Sequence, residues 1–258
     1  MKRRRFMAAG VLTAAAAMAG KSGGALASGQ RQYLELRHYA MASLQKRDAF
    51  NTYLSKAMIP ALNRLGVAPV GVFRLADNKD LGLHVLLPHN SLESAATAGR
   101  RLLEDANHLR LMEELIGDTK EDPAYTRIDS QLLLAFDLCP RVVPLAQKKD
   151  TRVFQLRVYE SHNTVIAMRK VEMFDKGIIA LFRRTGVNPV FMGECLIGGN
   201  MPSLSYMVGF DDAEAQKRAW DAFRQHPEWK KMQADPYYKD TVSKITNLEF
   251  RPTAASQL

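Results

Sequence analysis

The strongest constraint on the fold is an internal repeat. The pattern Leu-Arg-x-Tyr occupies residues 36–39 and 156–159, and the pattern Arg-x-Gly-Val-x-Pro-Val occupies residues 64–70 and 184–190. Both pairs are separated by 120 residues, a coincidence that two unrelated segments would rarely share. A repeat at one fixed spacing is the signature of a structural unit that the chain builds twice. The sequence therefore predicts two copies of one unit in tandem.

The spacing falls to 113 residues towards the end of each copy, where Asp-Pro-x-Tyr occupies residues 122–125 and 235–238. The region before this motif must therefore be longer in the first copy. A short segment with two prolines and several charges separates the copies and is predicted to be a linker. The predicted division is a signal peptide at 1–27, a first repeat at 32–138, a linker at 139–151, a second repeat at 152–251 and a C-terminal tail at 252–258.

Each copy has the predicted order strand, helix, strand, strand, helix, strand. Residues 33–39 alternate apolar and polar side chains, which is typical of a strand with two different faces. Residues 43–65 place apolar side chains at helical spacing, and Gly66 is positioned to end that helix in the left-handed conformation. Residues 91–115 are predicted to form a single helix. The predicted fold class is α+β, with tandem ferredoxin-like βαββαβ repeats whose helices cover one face of each sheet.

The first 27 residues have the features of an export signal. A basic start that includes Arg3-Arg4-Arg5-Phe6 is followed by an apolar run of about 14 residues and by the small-residue pattern Ala25-Leu26-Ala27. The two arginines, one further residue and Phe6 match the twin-arginine pattern of bacterial signals for folded cargo. The apolar run is shorter than the ~20 residues of a membrane span, so cleavage after Ala27 is expected to leave no anchor. The sequence predicts a periplasmic or secreted protein.

The charge of the chain gives no reason to expect a nucleic-acid partner. Residues 1–27 contain five of the 36 basic residues and no acidic residue, so the rest of the chain has 31 basic against 27 acidic residues, a net charge of +4. The excess positive charge of the whole chain therefore belongs largely to the export signal, and no basic binding surface is predicted. Cys139 and Cys195 are the only cysteines and lack metal-ligand spacing, and buried free thiols are expected.

The repeats resemble the NIPSNAP family. Its repeats open with a strand of the type Tyr-x-Leu-Arg-x-Tyr, to which residues 33–39 correspond with one additional residue after Tyr33. They also carry a Pro-Glu-Trp segment in the second helical region, matched by residues 227–229. The resemblance implies a dimeric α/β-barrel, in which two ferredoxin-like sheets close with helices outside, formed here as a pseudo-dimer within one chain. Related families include antibiotic-biosynthesis monooxygenase-like proteins and haem-binding chlorite-dismutase relatives. The family itself has no settled activity, so the resemblance implies no reaction.

The sequence departs from the family pattern in the first copy. Leu-Arg-Leu at residues 109–111 stands where the second copy has Pro-Glu-Trp. His84 occupies the position of a histidine that is common in the family, and its counterpart in the second copy is taken as Tyr206. A site built from these residues would differ between the two copies.

Strand alternation predicts which side chains line the barrel. In the first strand Leu34, Leu36 and His38 share one face, which is expected to pack under the helices. The opposite face, with Glu35 and Arg37, is expected to line the interior, where these two neighbours could neutralise each other in a structural role. The alternative is a small-molecule site at the polar end of an apolar pocket. The residues predicted for it are Arg37, Tyr39, His84, Arg157, Tyr159 and Tyr206.

His84 is the best candidate for acid–base chemistry, because imidazole changes charge near neutral pH. A histidine held in place by a hydrogen bond is the structural alternative. His84 and His89 are five residues apart and form a poor metal pair, so neither a metal nor a cofactor is predicted, and haem ligation through His84 or His162 is disfavoured.

Three functions remain open at this stage, because no motif identifies a reaction. The preferred hypothesis is an exported NIPSNAP-like protein that binds a small organic or anionic molecule in the cavity between its two sheets. The first alternative is a cofactor-independent oxygenase of the antibiotic-biosynthesis monooxygenase type. The second is a non-catalytic scaffold that binds a partner, with self-association into a homo-oligomer also compatible with the sequence.

Overall fold

A computed structural model describes residues 30–117 and 119–258; the predicted signal peptide lies outside these residues. Eight strands account for the sheet. They are β1 (Tyr33–Ala40), β2 (Gly71–Leu75), β3 (Leu83–His89), β4 (Arg127–Ala135), β5 (Val153–Glu160), β6 (Asn188–Ile197), β7 (Ser203–Phe210) and β8 (Lys244–Pro252).

The helices occur between the strands at equivalent places in the two halves. They are α1 (Leu44–Tyr53), α2 (Ile59–Arg64), α3 (Leu92–Leu102), α4 (Ala106–Ile116), α5 (Thr164–Met173), α6 (Ile179–Arg184), α7 (Ala213–Gln225) and α8 (Pro227–Ala234). The π-helical turn Leu54–Met58 joins α1 to α2, and the turn Phe174–Ile178 joins α5 to α6. These turns are 120 residues apart, so the repeat in the sequence is also a repeat in backbone geometry.

The ends of the helices follow from local sequence. The side chains of Ser43 and Asn163 each accept a hydrogen bond from a backbone N–H of the first turn, at equivalent positions in the two copies. Gly66 has a φ of +80°, which confirms the predicted left-handed end of the first helix. The prediction of one helix over 91–115 is wrong, because the Asp105 side chain accepts from the His108 N–H and begins a second helix there.

The strands close into an antiparallel barrel with the order β1-β3-β2-β8-β5-β7-β6-β4. Each half contributes the same sequence of neighbours, β4-β1-β3-β2 and β8-β5-β7-β6, and the halves join where β2 pairs with β8 and β4 with β6. The predicted α+β barrel with helices outside is therefore confirmed.

The barrel interior is apolar and is filled from both halves. Leu34, Phe73, Phe154, Met207 and Phe250 belong to one buried cluster inside the sheet. Two further clusters lie between the sheet and the helices, one in each half. A barrel of eight strands has an interior just wide enough for side chains to fill, and an apolar filling avoids the cost of burying polar groups.

The predicted orientation of the first strand is consequently wrong. Leu34 and Leu36 pack in the barrel interior, whereas Tyr39 packs in the cluster beneath the helices. The row with Glu35, Arg37 and Tyr39 therefore faces out of the barrel. It is largely shielded from bulk water, because α1, α3 and α4 pack over this face of the sheet.

Cys139 and Cys195 are buried and free, as predicted. Burial raises the pKa of the Cys139 thiol to about 11, so this thiol is protonated at neutral pH.

Within residues 30–117 and 119–258, no helix has both the length and the hydropathy needed to cross a bilayer.

Candidate functional site

Three cavities contain the six predicted site residues. Helix-side cavity 1 lies in the first half, has a volume of about 460 Å³ and is lined by Arg37 and Tyr39. Helix-side cavity 2 lies in the second half, has a volume of about 260 Å³ and is lined by Arg157, Tyr159 and Tyr206. The barrel cavity has a volume of about 440 Å³ and is lined by His84 and also reached by Arg37. The structure does not bring the six residues together.

His84 and Tyr206 line different cavities because they occupy different positions in the strand register. Arg37 pairs with Val85 across β1 and β3, and Arg157 pairs with Tyr206 across β5 and β7. Tyr206 is thus the counterpart of Val85. The prediction that Tyr206 is the counterpart of His84 is wrong by one residue. A shift of one residue moves a side chain to the other face of a sheet.

In the first half the arginine is neutralised within its own strand. Arg37 donates from Nε to Glu35 Oε1 at 2.7 Å and from Nη2 to Glu35 Oε2 at 2.9 Å, which confirms the predicted pairing. Ser130 also donates to Glu35 Oε1 at 2.7 Å. Burial opposes ionisation of Glu35, but its bonds with His89, Arg37 and Ser130 together lower its pKa to about 2. The charge of Arg37 is thus neutralised without a ligand.

In the second half the equivalent arginine has no such partner. Gln155 stands where the first copy has Glu35, and it donates instead to Glu249 Oε1 at 2.6 Å. Arg157 forms no hydrogen bond or salt bridge with any described residue, and its Nε atom is buried without a partner. The guanidinium carbon lies 5.3 Å from the Trp220 ring centroid and 5.6 Å from that of Tyr159. Aromatic faces stabilise this cation but do not neutralise it.

A second cation, which is buried, enters the same cavity. Lys170 on α5 is 7% exposed and lines helix-side cavity 2. Its only hydrogen-bond contact in the described part of the chain is with Met173 Sδ at 3.3 Å. Burial lowers its pKa to about 8. Phe50 occupies the equivalent position in the first copy, so the comparison of the two copies could have revealed this lysine.

Aromatic side chains form the rest of helix-side cavity 2. The hydroxyls of Tyr159 and Tyr206 are 2.9 Å apart and share a hydrogen bond. Trp220 on α7 and Trp229 on α8 lie on the helix side, and Trp220 Nε1 is buried without a described partner. Burial raises the pKa of Tyr206 well above its ordinary value, so its hydroxyl stays protonated. The cavity offers cations and hydrogen-bond donors against aromatic walls.

The barrel cavity has a different lining. Apolar residues of both halves, including Leu36, Leu156 and Met207, surround most of it. His38 and His84 lie at one side of it, with their rings stacked at a centroid distance of 4.5 Å. Burial, and then the neighbouring His38, lower the pKa of His84 to about 4 against an opposing effect of Asp80. The hydrogen bond expected to hold His84 in place is not found at its Nε2 atom in the described residues.

The geometry defines an α+β antiparallel barrel with helix-side cavities, and solved structures share that fold. Two proteins named "putative monooxygenase" superpose over most of their length. The protein of Fusobacterium nucleatum subsp. nucleatum has a TM-score of 0.56 at 11% identity and covers 86% of this chain and 93% of its own. The protein of Lactobacillus acidophilus has a TM-score of 0.57 at 11% identity and covers 86% and 94%. At this identity the likeness shows the fold alone.

The second half of the chain also matches a sequence family. Residues 154–257 match the NIPSNAP family, which supports the predicted resemblance for that half. A NIPSNAP-like domain protein of Burkholderia xenovorans is similar at 17% identity, with a TM-score of 0.39, over 42% of this chain and 91% of its own. No curated protein matches the sequence.

Proposed function

We propose that the protein binds a small aromatic anion in helix-side cavity 2, with Arg157 as the group that holds the anion. The observation that carries this proposal is the unpaired Arg157, whose Nε atom is buried and has no hydrogen-bond partner among the described residues. Arg157 itself is only partly buried, but a buried N–H without a hydrogen-bond partner is rare and costs ~1–3 kcal/mol. An anionic ligand would supply the missing partner.

The other residues of the cavity favour the same class of ligand. Lys170 adds a further cation to the lining, and no described carboxylate lines the cavity; Arg224 also lines it but is paired with Asp221 at 2.6 Å. The walls are aromatic, and ring stacking favours a planar ligand. A volume of about 260 Å³ is below the common range of ligand pockets, which limits the ligand to one or two rings. An aromatic carboxylate of that size satisfies the charge, the shape and the volume.

Tryptophan fluorescence offers a direct test of this site. The chain contains two tryptophans, and both Trp220 and Trp229 line helix-side cavity 2. Titration with 2-naphthoate should therefore quench or shift the emission of the protein, whereas the uncharged 2-naphthamide should bind weakly. The Arg157→Gln variant should lose about 10- to 100-fold in affinity, as expected for a charged hydrogen bond of ~1.5–3 kcal/mol.

A matched variant controls for the loss of one positive charge. Arg218 lies on α7 near Trp220 but has an exposed side chain, so Arg218→Gln should leave the affinity unchanged. The melting temperature of Arg157→Gln without ligand should not fall below that of the wild type, because no described acidic partner is lost and an unpaired cation is removed. Equal binding of naphthoate and naphthamide, or equal affinity of the two variants, would exclude anion recognition by Arg157.

A second candidate function is oxygenation of a phenolic substrate in the same cavity. The hydroxyl pair of Tyr159 and Tyr206 could hold a phenol, and the nearby Arg157 would stabilise the phenolate that reacts with oxygen. The similar folds named putative monooxygenases are compatible with this chemistry. Oxygen uptake with a panel of quinols, lost in Arg157→Gln, would support it, and binding without oxygen uptake would leave ligand binding as the function.

We further propose that the whole chain is a duplicated NIPSNAP-like protein that is exported. The two halves share strand order and equivalent helical turns, which supports two ferredoxin-like repeats at 32–138 and 152–251. The signal-like sequence at 1–27 supports export by the twin-arginine route to the periplasm. Replacing Arg3 and Arg4 by lysine should retain the uncleaved precursor in the cytoplasm of a bacterial host, as seen by fractionation.

A further inference from the structure

Three ligand-type side chains meet beside the barrel cavity, away from helix-side cavity 2. His38 on β1 lies directly opposite His84 on β3 in the strand register. Asp80 precedes β3 by a few residues, and its Oδ2 atom lies 2.6 Å from His38 Nε2 and 3.8 Å from His84 Nε2. One donor atom from each residue falls within 4.8 Å of the other two, a grouping found once among the described residues.

The two imidazole nitrogens are not satisfied by the protein. Both Nε2 atoms are buried, and neither has a hydrogen-bond partner in the part of the chain that the structure describes. The 2.6 Å approach of Asp80 to His38 is short enough for a hydrogen bond but lacks the required direction. Buried polar atoms without partners are rare, and each one requires an explanation. A shared partner placed between the three donor atoms would satisfy both nitrogens.

We propose that His38, Asp80 and His84 bind a divalent first-row transition-metal ion at the edge of the barrel cavity. Two imidazole nitrogens and one carboxylate oxygen suit zinc or iron(II), whereas magnesium and calcium prefer oxygen ligands alone. Metal–ligand distances of ~2.0–2.2 Å require the three donors to lie about 3 Å apart, so a small adjustment of the observed positions completes the site. Three protein ligands also leave a coordination position free for water or a ligand.

The surroundings of the cluster support this assignment. The backbone N–H of Gly82 donates to the second carboxylate oxygen of Asp80 at 2.8 Å, which orients Oδ2 towards the histidines as outer partners do in metal sites. A side chain at position 82 would place its Cβ atom 2.3 Å from His38 Nε2. The glycine therefore leaves the donor atom of His38 open.

Metal titration of the full-length protein without an affinity tag tests the proposal. Calorimetry with Zn²⁺ should detect one equivalent bound, and Co²⁺ should produce visible absorption bands of a low-coordinate site with nitrogen ligands. Mg²⁺ should give neither signal. Asp80→Asn and His84→Gln should each weaken Zn²⁺ binding by at least about 10-fold, which is the lower range for losing even an outer partner of a metal site.

His162→Gln is the matched control, because His162 is an exposed histidine outside the cluster and its loss should not change binding. Asp80 is partly exposed and lies outside the strands, so Asp80→Asn remains informative if a histidine variant fails to fold. Absence of stoichiometric Zn²⁺ binding by the wild type would overturn the proposal. Binding by a folded Asp80→Asn protein that equals the wild type would overturn it as well.

Discussion

Replacing Glu35 by glutamine should destabilise the protein at neutral pH by about 3 kcal/mol. The pKa of Glu35 lies at about 2 against an ordinary value of 4.5, and one pKa unit corresponds to ~1.4 kcal/mol. The side chains of Glu35 and Arg37 are only 13% and 18% exposed, so solvent screens this interaction weakly. The variant keeps the shape of the side chain and leaves the buried Arg37 cation unpaired, a change that typically costs ~3–5 kcal/mol.

The lowered pKa of Glu35 also determines how the free energy of unfolding depends on pH. A carboxyl whose pKa is lowered in the folded state contributes stability that is complete above its unfolded pKa, here 4.5, and is lost as the pH falls towards 2. The wild type should therefore lose about 3 kcal/mol over this range through Glu35, and Glu35→Gln should not. The two stability curves should converge at low pH.

Urea denaturation at a series of pH values measures both the loss of stability in Glu35→Gln and its pH dependence. In a separate thermal denaturation at pH 7, the melting temperature of Glu35→Gln should be about 6–12 °C below that of the wild type for a chain of this size. Glu228→Gln is the matched control, because Glu228 forms a paired contact with Arg184 but both side chains are 51% exposed. Its loss should cost less than about 1 kcal/mol. Equal losses in the two variants would refute the argument that burial makes the Glu35–Arg37 pair strong.

Two further predictions concern the buried side chains of Lys170 and of the two cysteines. Lys170→Met should stabilise the fold by about 3 kcal/mol at pH 7, because it removes a buried ammonium whose pKa is lowered to about 8. The gain measured by urea denaturation should shrink between pH 8 and 10.5, where folded wild-type protein loses the proton before unfolded protein does. Cys139 and Cys195 should resist a thiol reagent in the folded protein, and denaturation without reductant should release two reactive thiols; fewer than two would indicate a disulfide.

The repeat in the sequence predicted most of the fold. Capping residues and helix-ending glycines recur at the same offset, and each acts locally, so their structural outcome could be read from short segments. The order of strands in each half follows from the same repeat. The break at Asp105 was missed because the apolar pattern continues across it, although Asp105 is itself a good helix-starting residue.

The direction of each strand face could not be read from alternation alone. In β1 both faces contain apolar groups, since Tyr39 carries an aromatic ring and Leu34 an aliphatic chain. Which face turns inward depends on barrel closure, which no single strand encodes. The contact of His38 with Asp80 was missed for a related reason, because it depends on how a loop folds back beside β1.

The difference between the two halves was nevertheless visible in the sequence. At the common offset of 120 residues, Glu35 is replaced by Gln155 and Phe50 by Lys170, so the second half loses one negative charge and gains one positive charge near Arg157. Lys170 is buried and Arg157 is half-buried beside aromatic rings, and neither has an acidic partner among the described residues, which costs stability unless an anion is bound. A ligand that binds only the folded state adds ~2.7 kcal/mol at a concentration of 100 times its Kd. At 100 times the wild-type Kd, 2-naphthoate should therefore stabilise the wild type by ~2.7 kcal/mol in urea denaturation, and Arg157→Gln, with its 10- to 100-fold lower affinity, by only about 0.4–1.4 kcal/mol.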